Sequence, residues 1–264
     1  MEAYIVAEIG VNHDGNLEKA IELIDKAKIC GCNAVKFQSF KADKLVDPSA
    51  KKVNYQLRSG DSGESHYEMI KKLEFNDIKL KKALSYSKKV EIDFITTPYD
   101  VQSLDEAYSQ GVRIFKTASA DLCDAYLHNK LSTLNDIEII IATGMSNIKN
   151  IKCTLSKYKK NDINPIILHC VSDYPCTDES LNLNVLDLLQ ENFPNNRIGL
   201  SDHSVGLTAG VICAAKGYHF FERHFTLNKK DNGPDHYASL NPEEFSRYVQ
   251  DLRNAYTALG SRTK

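Results

Sequence analysis

The sequence has no long hydrophobic run and no excess of charge of one sign. A membrane-spanning helix needs about 20 consecutive apolar residues, and no stretch approaches that length, so we expect no membrane association. The formal net charge is −2, with 33 basic and 35 acidic side chains interspersed along the chain, which argues against a nucleic-acid-binding face. The start of the chain is acidic and its apolar part is too short for a signal peptide, so we expect a cytoplasmic location.

The sequence also lacks a disulfide framework and a dinucleotide-binding fingerprint. Seven cysteines are an odd number, and most lie in apolar patterns such as the one around Cys213, which indicates buried, reduced thiols. Cys30 and Cys32 have the wrong spacing for a redox pair of the thioredoxin type. The turn at residues 10–15 lacks the glycine pattern that binds dinucleotides.

What is present is a regular alternation of apolar strand patterns and helical patterns. With 264 residues, this predicts a (β/α)8 TIM barrel in one domain spanning residues 1–264. A doubly wound open sheet is the alternative, but it usually has fewer strands and a glycine-rich first turn. The connection at residues 41–74 is long, polar and without regular pattern, which is typical of a functional or mobile loop. The predicted strands are 4–9, 34–40, 92–97, 114–119, 138–143, 165–171, 197–204 and 220–226, and the predicted helices are 17–30, 76–89, 101–110, 124–133, 148–159, 183–192, 205–216 and 242–259.

Two histidines follow the last two predicted strands. His203 and His224 stand at matching strand ends, separated by one helical pattern, with Ser201, Asp202 and Glu222 beside them. Because strand–helix–strand connections set parallel strand ends side by side, both imidazoles could bind one metal ion.

Two lysines point toward the predicted barrel mouth. Lys36 shares a face of its strand with Gln38 by period-2 alternation, and Lys116 lies near the end of the fourth strand. A buried lysine is costly unless it meets an anion. One interpretation is internal ion pairs, for example of Lys36 with Glu8. Others are a phosphate or carboxylate held with the hydroxyls of nearby strand ends, or a Schiff base; the hydroxyls are Thr97, Ser119 and Ser201.

Two loops carry further candidates. Gly144-Met-Ser146 resembles a helix N-terminus, with Ser146 as its cap or with backbone N–H groups that bind phosphate. Asp235, in the loop at residues 233–236, would either cap a turn or bind substrate hydroxyls.

A set of short motifs, in order, closely resembles the sialic acid synthase family, which includes N-acetylneuraminate, legionaminate and pseudaminate synthases. The resemblance covers about residues 4–245. The motifs are Ala7-Glu-Ile-Gly-Val-Asn-His-Asp-Gly15, Val35-Lys-Phe-Gln38, Thr143-Gly-Met145, Leu168-His-Cys170, Tyr174-Pro175, Ser201-Asp-His203, Arg223-His-Phe-Thr226 and Gly233-Pro-Asp-His236.

The resemblance implies a transferase that condenses phosphoenolpyruvate with the aldehyde of an open-chain amino sugar, giving a 2-keto-3-deoxy sugar acid and phosphate. It further implies that His203 and His224 bind a divalent metal, typically Mn²⁺ with Mg²⁺ or Co²⁺ as alternatives, and that Glu8 orients water or transfers a proton. Phosphoenolpyruvate would contact Lys36, Thr97, Lys116, Ser119 and Ser201, and the sugar would contact Gln38, Tyr174 and Asp235.

Three residues depart from the family pattern. Asp121 stands where the family has a glutamate that contacts the sugar, Ala142 replaces a serine, and Ser172 replaces an asparagine; the last two are expected phosphoenolpyruvate contacts. Family members also carry a C-terminal antifreeze-protein-like domain, through which they form domain-swapped dimers. We expect this chain to hold the catalytic barrel without that domain, which leaves a homodimer through a barrel face open and makes the acceptor sugar the least determined part of the prediction.

Two other functions remain open from the sequence. One is a pyruvate aldolase that uses Lys36 or Lys116 as a Schiff base on the same barrel. The other is a ligand-binding homologue without turnover, which Asp121 and the expected absence of the C-terminal domain favour and the presence of Glu8, His203 and His224 opposes.

Overall fold

The computed structural model describes residues 3–52 and 63–261, which form a closed barrel of eight parallel strands in the order β1 to β8. Each strand is followed by at least one helix. The predicted (β/α)8 barrel is therefore confirmed. Its strands are β1 (Tyr4–Gly10), β2 (Ala34–Ser39), β3 (Asp93–Pro98), β4 (Ile114–Thr117), β5 (Glu138–Ala142), β6 (Ile166–His169), β7 (Ile198–Asp202) and β8 (Phe220–His224).

Most helices begin at a side chain that accepts a hydrogen bond from the first turn, as helix N-termini require. Asn147 caps α7 in this way, so the prediction of Ser146 as that cap is wrong. The helices are α1 (Leu17–Ile29), α2 (Ala42–Leu45), α3 (His66–Leu73), α4 (Asp77–Lys89), α5 (Val101–Ser109), α6 (Ala125–Leu131), α7 (Ile148–Tyr158), α8 (Asp178–Leu181), α9 (Val185–Asn192), α10 (Thr208–Ala215) and α11 (Pro242–Leu259).

Several elements are shorter than predicted at the end of the barrel where the strands finish. Strand β4 ends at Thr117, and Ser119 begins a short 3₁₀ turn. Helix α10 starts at Thr208, and Val205 is 72% exposed in the preceding loop. Val205 is apolar and continues the helical pattern in the sequence, although it lies in the loop before α10. The predicted helix therefore starts too early.

The connection between β2 and α4 contains two helices in its described part, α2 and α3. The prediction of little regular structure is therefore wrong there. Helix α3 starts with a capping box, in which Ser65 and Glu68 bond each other's backbone N–H groups, and it buries Met69 and Leu73. Helices of four and eight residues are too short to give a clear periodic signal.

The core has two layers. Outward-facing strand residues such as Val35 and Phe37 pack against the helices, as predicted. A smaller cluster fills the barrel interior, and burying each large aliphatic side chain stabilises the fold by about 1.5–3 kcal/mol. The interior cluster comprises Val6, Ala34, Ile95, Ile140, Ile166, Leu168 and Phe220.

All seven cysteines are free, and five are buried, in line with the prediction of reduced thiols. No helix within residues 3–52 and 63–261 has both the length and the apolar character needed to cross a membrane.

We expect the buried side chain of His128 to make the unfolding free energy of the protein depend on pH. Its Nε2–H donates to the Asp121 carbonyl at 3.1 Å, and its Nδ1 lies 2.5 Å from the Tyr158 hydroxyl. Burial lowers the pKa of His128 to about 4. A lowered folded-state pKa means that stability is full above the unfolded pKa and is lost as the pH falls toward 4.

We expect His128 to remove up to about 3 kcal/mol of unfolding free energy between pH 6.5 and 4. Urea unfolding of the wild type and of His128→Gln across this range measures the effect. The variant should lose less stability on acidification than the wild type. Equal losses in the two proteins would contradict the assignment.

Candidate active site

The register of the sheet brings charged side chains together at the carboxyl end of the barrel. Glu8 on β1 lies opposite Lys36 on β2 and opposite His224 on β8. Ser201 on β7 lies opposite Glu222 on β8. All five residues are at most 9% exposed. Sites in barrels of this type form at the carboxyl ends of the strands, so this cluster marks the candidate active site.

A β-bulge holds the Glu8 carboxylate. The register with β2 shifts between Glu8 and Gly10, and Gly10 has a φ of +54°, which glycine adopts readily. A Cβ atom on Gly10 would lie 3.0 Å from Glu8 Oε1 and 3.1 Å from Gln38 Nε2. Glycine therefore leaves room for Gln38 Nε2 to donate to Glu8 Oε1 at 3.1 Å.

Two lysines and two glutamates form a buried charge network. Lys36 Nζ lies 2.7 Å from Glu8 Oε2 and 3.8 Å from Glu222 Oε2. Lys116 Nζ lies 3.1 Å from Glu222 Oε1, to which Ser201 also donates at 2.8 Å. The predicted alternative of internal ion pairs, including Lys36 with Glu8, is confirmed as a set of contacts. These contacts do not decide whether the lysines also bind an anion or form a Schiff base.

The pKa values of the two glutamates in this network are shifted in opposite directions. Burial raises the pKa of Glu8 despite the opposing charge of Lys36. Burial alone would also raise the pKa of Glu222, but Lys116 and Lys36 outweigh it and lower that pKa to about 2. Burial would lower the pKa of Lys116, yet Glu222 outweighs it, and the pKa is raised. Lys116 and Glu222 are thus charged at neutral pH, and Glu8 takes up a proton more readily than Glu222.

The two predicted metal ligands lie side by side at the ends of the neighbouring strands β7 and β8. The ring centroids of His203 and His224 are 5.6 Å apart. His203 Nδ1–H donates to the Val171 carbonyl at 2.7 Å, which fixes the tautomer and leaves the Nε2 lone pair for a ligand. Burial and the neighbouring His224 lower the pKa of His203 to about 3, and burial lowers the pKa of His224. Both imidazoles are therefore neutral at neutral pH, the form that binds metal.

His224 offers a second free nitrogen. Its Nδ1 is buried, has no hydrogen-bond partner among the described residues, and lies 3.7 Å from Asp235 Oδ2. Tyr174 completes this wall, with its ring 4.2 Å from that of His203. Two imidazole nitrogens near a carboxylate suit a first-row divalent ion. The residues present fit the metal that the family resemblance implies.

A separate cluster of potential ligands, Asp14, Asp231 and His236, lies in the described loops outside the cavity. Lys19 Nζ lies 2.5 Å from Asp14 and 2.6 Å from Asp231. The single ammonium group of Lys19 pairs with both carboxylates and offsets one of their two negative charges.

Small polar groups surround Gly144 next to Lys116. The Gly144 N–H donates to Ser119 Oγ at 3.1 Å, and Cys170 Sγ lies 2.9 Å from the same oxygen. A Cβ atom on Gly144 would lie 2.5 Å from Ser172 Oγ and 2.8 Å from Ser119 Oγ. Glycine therefore leaves room for a cradle of two hydroxyl groups, which can donate to the oxygens of an anion.

These groups line one cavity of about 320 Å³. All predicted site residues line it except Asp121 and Ser172. Asp121 lies in the 3₁₀ turn after β4, and Ser172 adjoins Gly144 as described above. The predicted residues that meet there are Glu8, Lys36, Gln38, Thr97, Lys116, Ser119, Tyr174, Ser201, His203, His224 and Asp235.

The predicted site omitted several lining residues. Glu222 is the most important, since it contacts Lys36, Lys116 and Ser201. Its position two residues before His224 on the same strand face was the signal that could have included it. His66 also lines the cavity, but it lies at the start of α3, where the sequence has no strand pattern that predicts a site residue.

The chain is similar to known synthases over its whole length. A sequence model of the NeuB family matches residues 23–264. The N,N'-diacetyllegionaminic acid synthase of Legionella pneumophila is 36% identical over 270 residues, covering 100% of this chain and 75% of that protein. The N-acetylneuraminate-9-phosphate synthase of Homo sapiens is 32% identical over 261 residues, covering 99% of this chain and 72% of that protein.

A solved structure agrees with the sequence comparison. The N-acetylneuraminic acid synthetase of Leptospira borgpetersenii, in complex with citrate, matches with a TM-score of 0.86 and 30% identity, covering 100% of this chain and 87% of that one. The resemblance seen in the motifs is confirmed. The chain therefore belongs to the NeuB family, a family of enzymes that form carbon–carbon bonds in sugar acids.

Proposed function

We propose that the protein condenses phosphoenolpyruvate with the aldehyde of an open-chain amino sugar, with the help of a divalent metal, and releases a 2-keto-3-deoxy sugar acid and phosphate. The observation that carries the proposal is the convergence of two buried lysines, a metal-fitting histidine pair and Glu8 on one cavity. An anion site beside an electrophile site is what this reaction needs.

The lysines would bind phosphoenolpyruvate. Lys116 and Ser119 line the cavity and offer donors for the phosphate, and Ser172 lies beside Ser119 next to Gly144. Lys36, which donates to Thr97 Oγ1 at 3.2 Å, lies on the neighbouring side and suits the carboxylate. Because both lysines already pair with glutamates, their charge is held in place before the substrate arrives.

His203 and His224 would hold the metal, which we propose to be Mn²⁺, and Gln38, Tyr174 and Asp235 would contact the sugar. A bound divalent ion supplies Lewis-acid polarisation of the aldehyde oxygen. Asp235 lies within 3.7 Å of His224, so its carboxylate can orient a hydroxyl of the sugar next to the aldehyde. Asp121 as a sugar contact stays a prediction, since it does not line the described cavity.

The bond changes balance with water as the one additional reactant. Carbon 3 of phosphoenolpyruvate bonds to the aldehyde carbon, whose oxygen takes a proton. Water adds its oxygen at carbon 2, and phosphate then leaves with the bridging oxygen, which yields the 2-keto group. Glu8, with its raised pKa and its carboxylate held by Gln38, would orient that water and accept its proton.

A phosphate-release assay tests the proposal. Release should require phosphoenolpyruvate, an N-acylhexosamine or related sugar aldehyde, and Mn²⁺, and it should stop when EDTA removes the metal. If no acceptor from a broad sugar panel supports release, the proposal is wrong. Borohydride trapping with pyruvate is the companion test, because labelling of Lys36 or Lys116 would indicate an aldolase instead. The raised pKa of Lys116 opposes that outcome, since a Schiff base needs a neutral amine.

Gly144→Ala should weaken phosphoenolpyruvate binding. The new Cβ would crowd Ser119 and Ser172, so we expect the KM for phosphoenolpyruvate to rise about tenfold, equivalent to about 1.4 kcal/mol, with a smaller change in the KM for the acceptor. The control is Gly206→Ala, whose Cβ would meet nothing closer than 3.9 Å. A normal KM for phosphoenolpyruvate in Gly144→Ala would show that the cradle does not bind this substrate.

A further inference from the structure

The side of the cavity above β1 to β3 is apolar. Six lining side chains form it, and we call this set the apolar wall. Three of them belong to a hydrophobic cluster that also contains Met69, and two more pack against that cluster. The apolar wall is therefore a packed part of the fold. Its residues are Val11, Phe40, Val46, Ile70, Leu73 and Tyr99.

The charged groups of the cavity lie on other segments than the apolar wall, whose residues come from the segments that follow β1, β2 and β3. They stand on β1, β2, β4 and β8 and in the loop after β8, whereas no described lining residue from Phe40 to Tyr99 is a lysine, arginine, aspartate or glutamate. His66 is the group there that titrates near neutral pH, and burial together with Lys52 lowers its pKa. Among the described residues, the apolar wall and His66 therefore present no charged side chain to the cavity at neutral pH.

The apolar wall comes from different segments than the histidine pair and the anion cradle. The histidine pair lies at the ends of β7 and β8, and the anion cradle lies beside β4 to β6. An acceptor with its aldehyde at the histidines therefore has another part of its chain available to contact the apolar wall. Ile70 is half-buried and lines the cavity from α3, so it offers a methyl surface to such a group.

We propose that the apolar wall receives an uncharged, apolar substituent of the acceptor, either a deoxy carbon or the methyl of an acylamino group, and that acceptors bearing a phosphate are rejected. This inference rests on the proposed function, which supplies the aldehyde and its position. A methyl group placed in an apolar pocket favours its substrate by about 10- to 200-fold. A phosphate buried against the described residues of this wall would lose its hydration without a cationic partner among them. The similar synthases include one whose product is a 9-phosphate and one whose product is not so named, so the distinction separates real alternatives.

Three matched acceptors test the inference: an N-acetylhexosamine, its 6-deoxy form and its 6-phosphate. The wild type should use the 6-phosphate at least about 100-fold less efficiently, in kcat/KM, than the better of the other two. Ile70→Ser should lower kcat/KM for the 6-deoxy acceptor about tenfold, mainly through KM. Ile78→Ser is the control, because Ile78 is 68% exposed on α4 and lies outside the cavity.

The outcomes separate this inference from the proposed function. Equal or better use of the 6-phosphate overturns the inference and leaves the proposed function standing. So does an Ile70→Ser variant that binds phosphoenolpyruvate normally in calorimetry and keeps the wild-type preference between the 6-deoxy and 6-hydroxy acceptors. Absence of wild-type turnover with every acceptor overturns the proposed function itself, and the inference falls with it.

Discussion

Replacing either His203 or His224 by asparagine is expected to lower kcat at saturating Mn²⁺ by at least about 1,000-fold, equivalent to about 4 kcal/mol of transition-state stabilisation. Both rings are buried, neutral and 5.6 Å apart at the end of adjacent strands. Removing one leaves a single protein nitrogen for the ion, so metal affinity should fall together with turnover. Calorimetric Mn²⁺ titration and steady-state kinetics measure the two effects.

His219→Asn is the matched control for these variants. His219 immediately precedes β8, at the opposite end from His224, and stacks on Tyr256 with ring centroids 4.9 Å apart. It should keep both Mn²⁺ affinity and turnover. Near-normal turnover in His203→Asn and His224→Asn, with the control also normal, would show that the histidine pair does not serve the reaction.

Lys116→Met is expected to have the second large effect. The substitution removes a donor from the cradle and leaves Glu222 buried with fewer cations. We expect kcat/KM for phosphoenolpyruvate to fall at least about 1,000-fold, and the unfolding free energy to fall by about 3–5 kcal/mol, as is typical when one partner of a buried pair is removed. Kinetics and urea unfolding report the two quantities separately.

A double variant separates folding from binding. In Lys116→Met/Glu222→Gln the buried carboxylate charge is also gone, so stability should largely return while activity stays low. Lys130→Met is the surface control, since the half-exposed Lys130 pairs with the exposed Asp105 at 2.9 Å, and its loss should cost less than about 1 kcal/mol. Recovery of activity in the double variant would contradict a direct role of Lys116 in binding the substrate.

The barrel and much of its site could be predicted because both follow from strand periodicity. Apolar runs gave the eight strands, and alternation placed Lys36 and Gln38 inward and Val35 and Phe37 outward. The histidine pair was predictable since a strand–helix–strand unit forces its strand ends together. The same reasoning could have included Glu222, whose contacts with both lysines hold the charge network together.

Other features depend on tertiary packing that leaves no periodic signal. Helices α2 and α3 are too short to stand out, so the apolar wall that they help to build was not foreseen. Asp121 was expected at the sugar because of its motif position, yet the turn that follows the short strand β4 sets it away from the described lining. Loop geometry after a strand is set by local packing, and strand periodicity does not report it.

The central claim is that the carbon–carbon bond is formed directly from phosphoenolpyruvate, with phosphate leaving by cleavage between carbon 2 and the bridging oxygen. Phosphoenolpyruvate labelled with oxygen-18 at that bridging position, incubated with Mn²⁺ and a productive sugar acceptor, tests it by mass spectrometry of the released phosphate. The account predicts that the phosphate carries the label. Unlabelled phosphate would mean that phosphoenolpyruvate is first hydrolysed at phosphorus, which would contradict direct condensation.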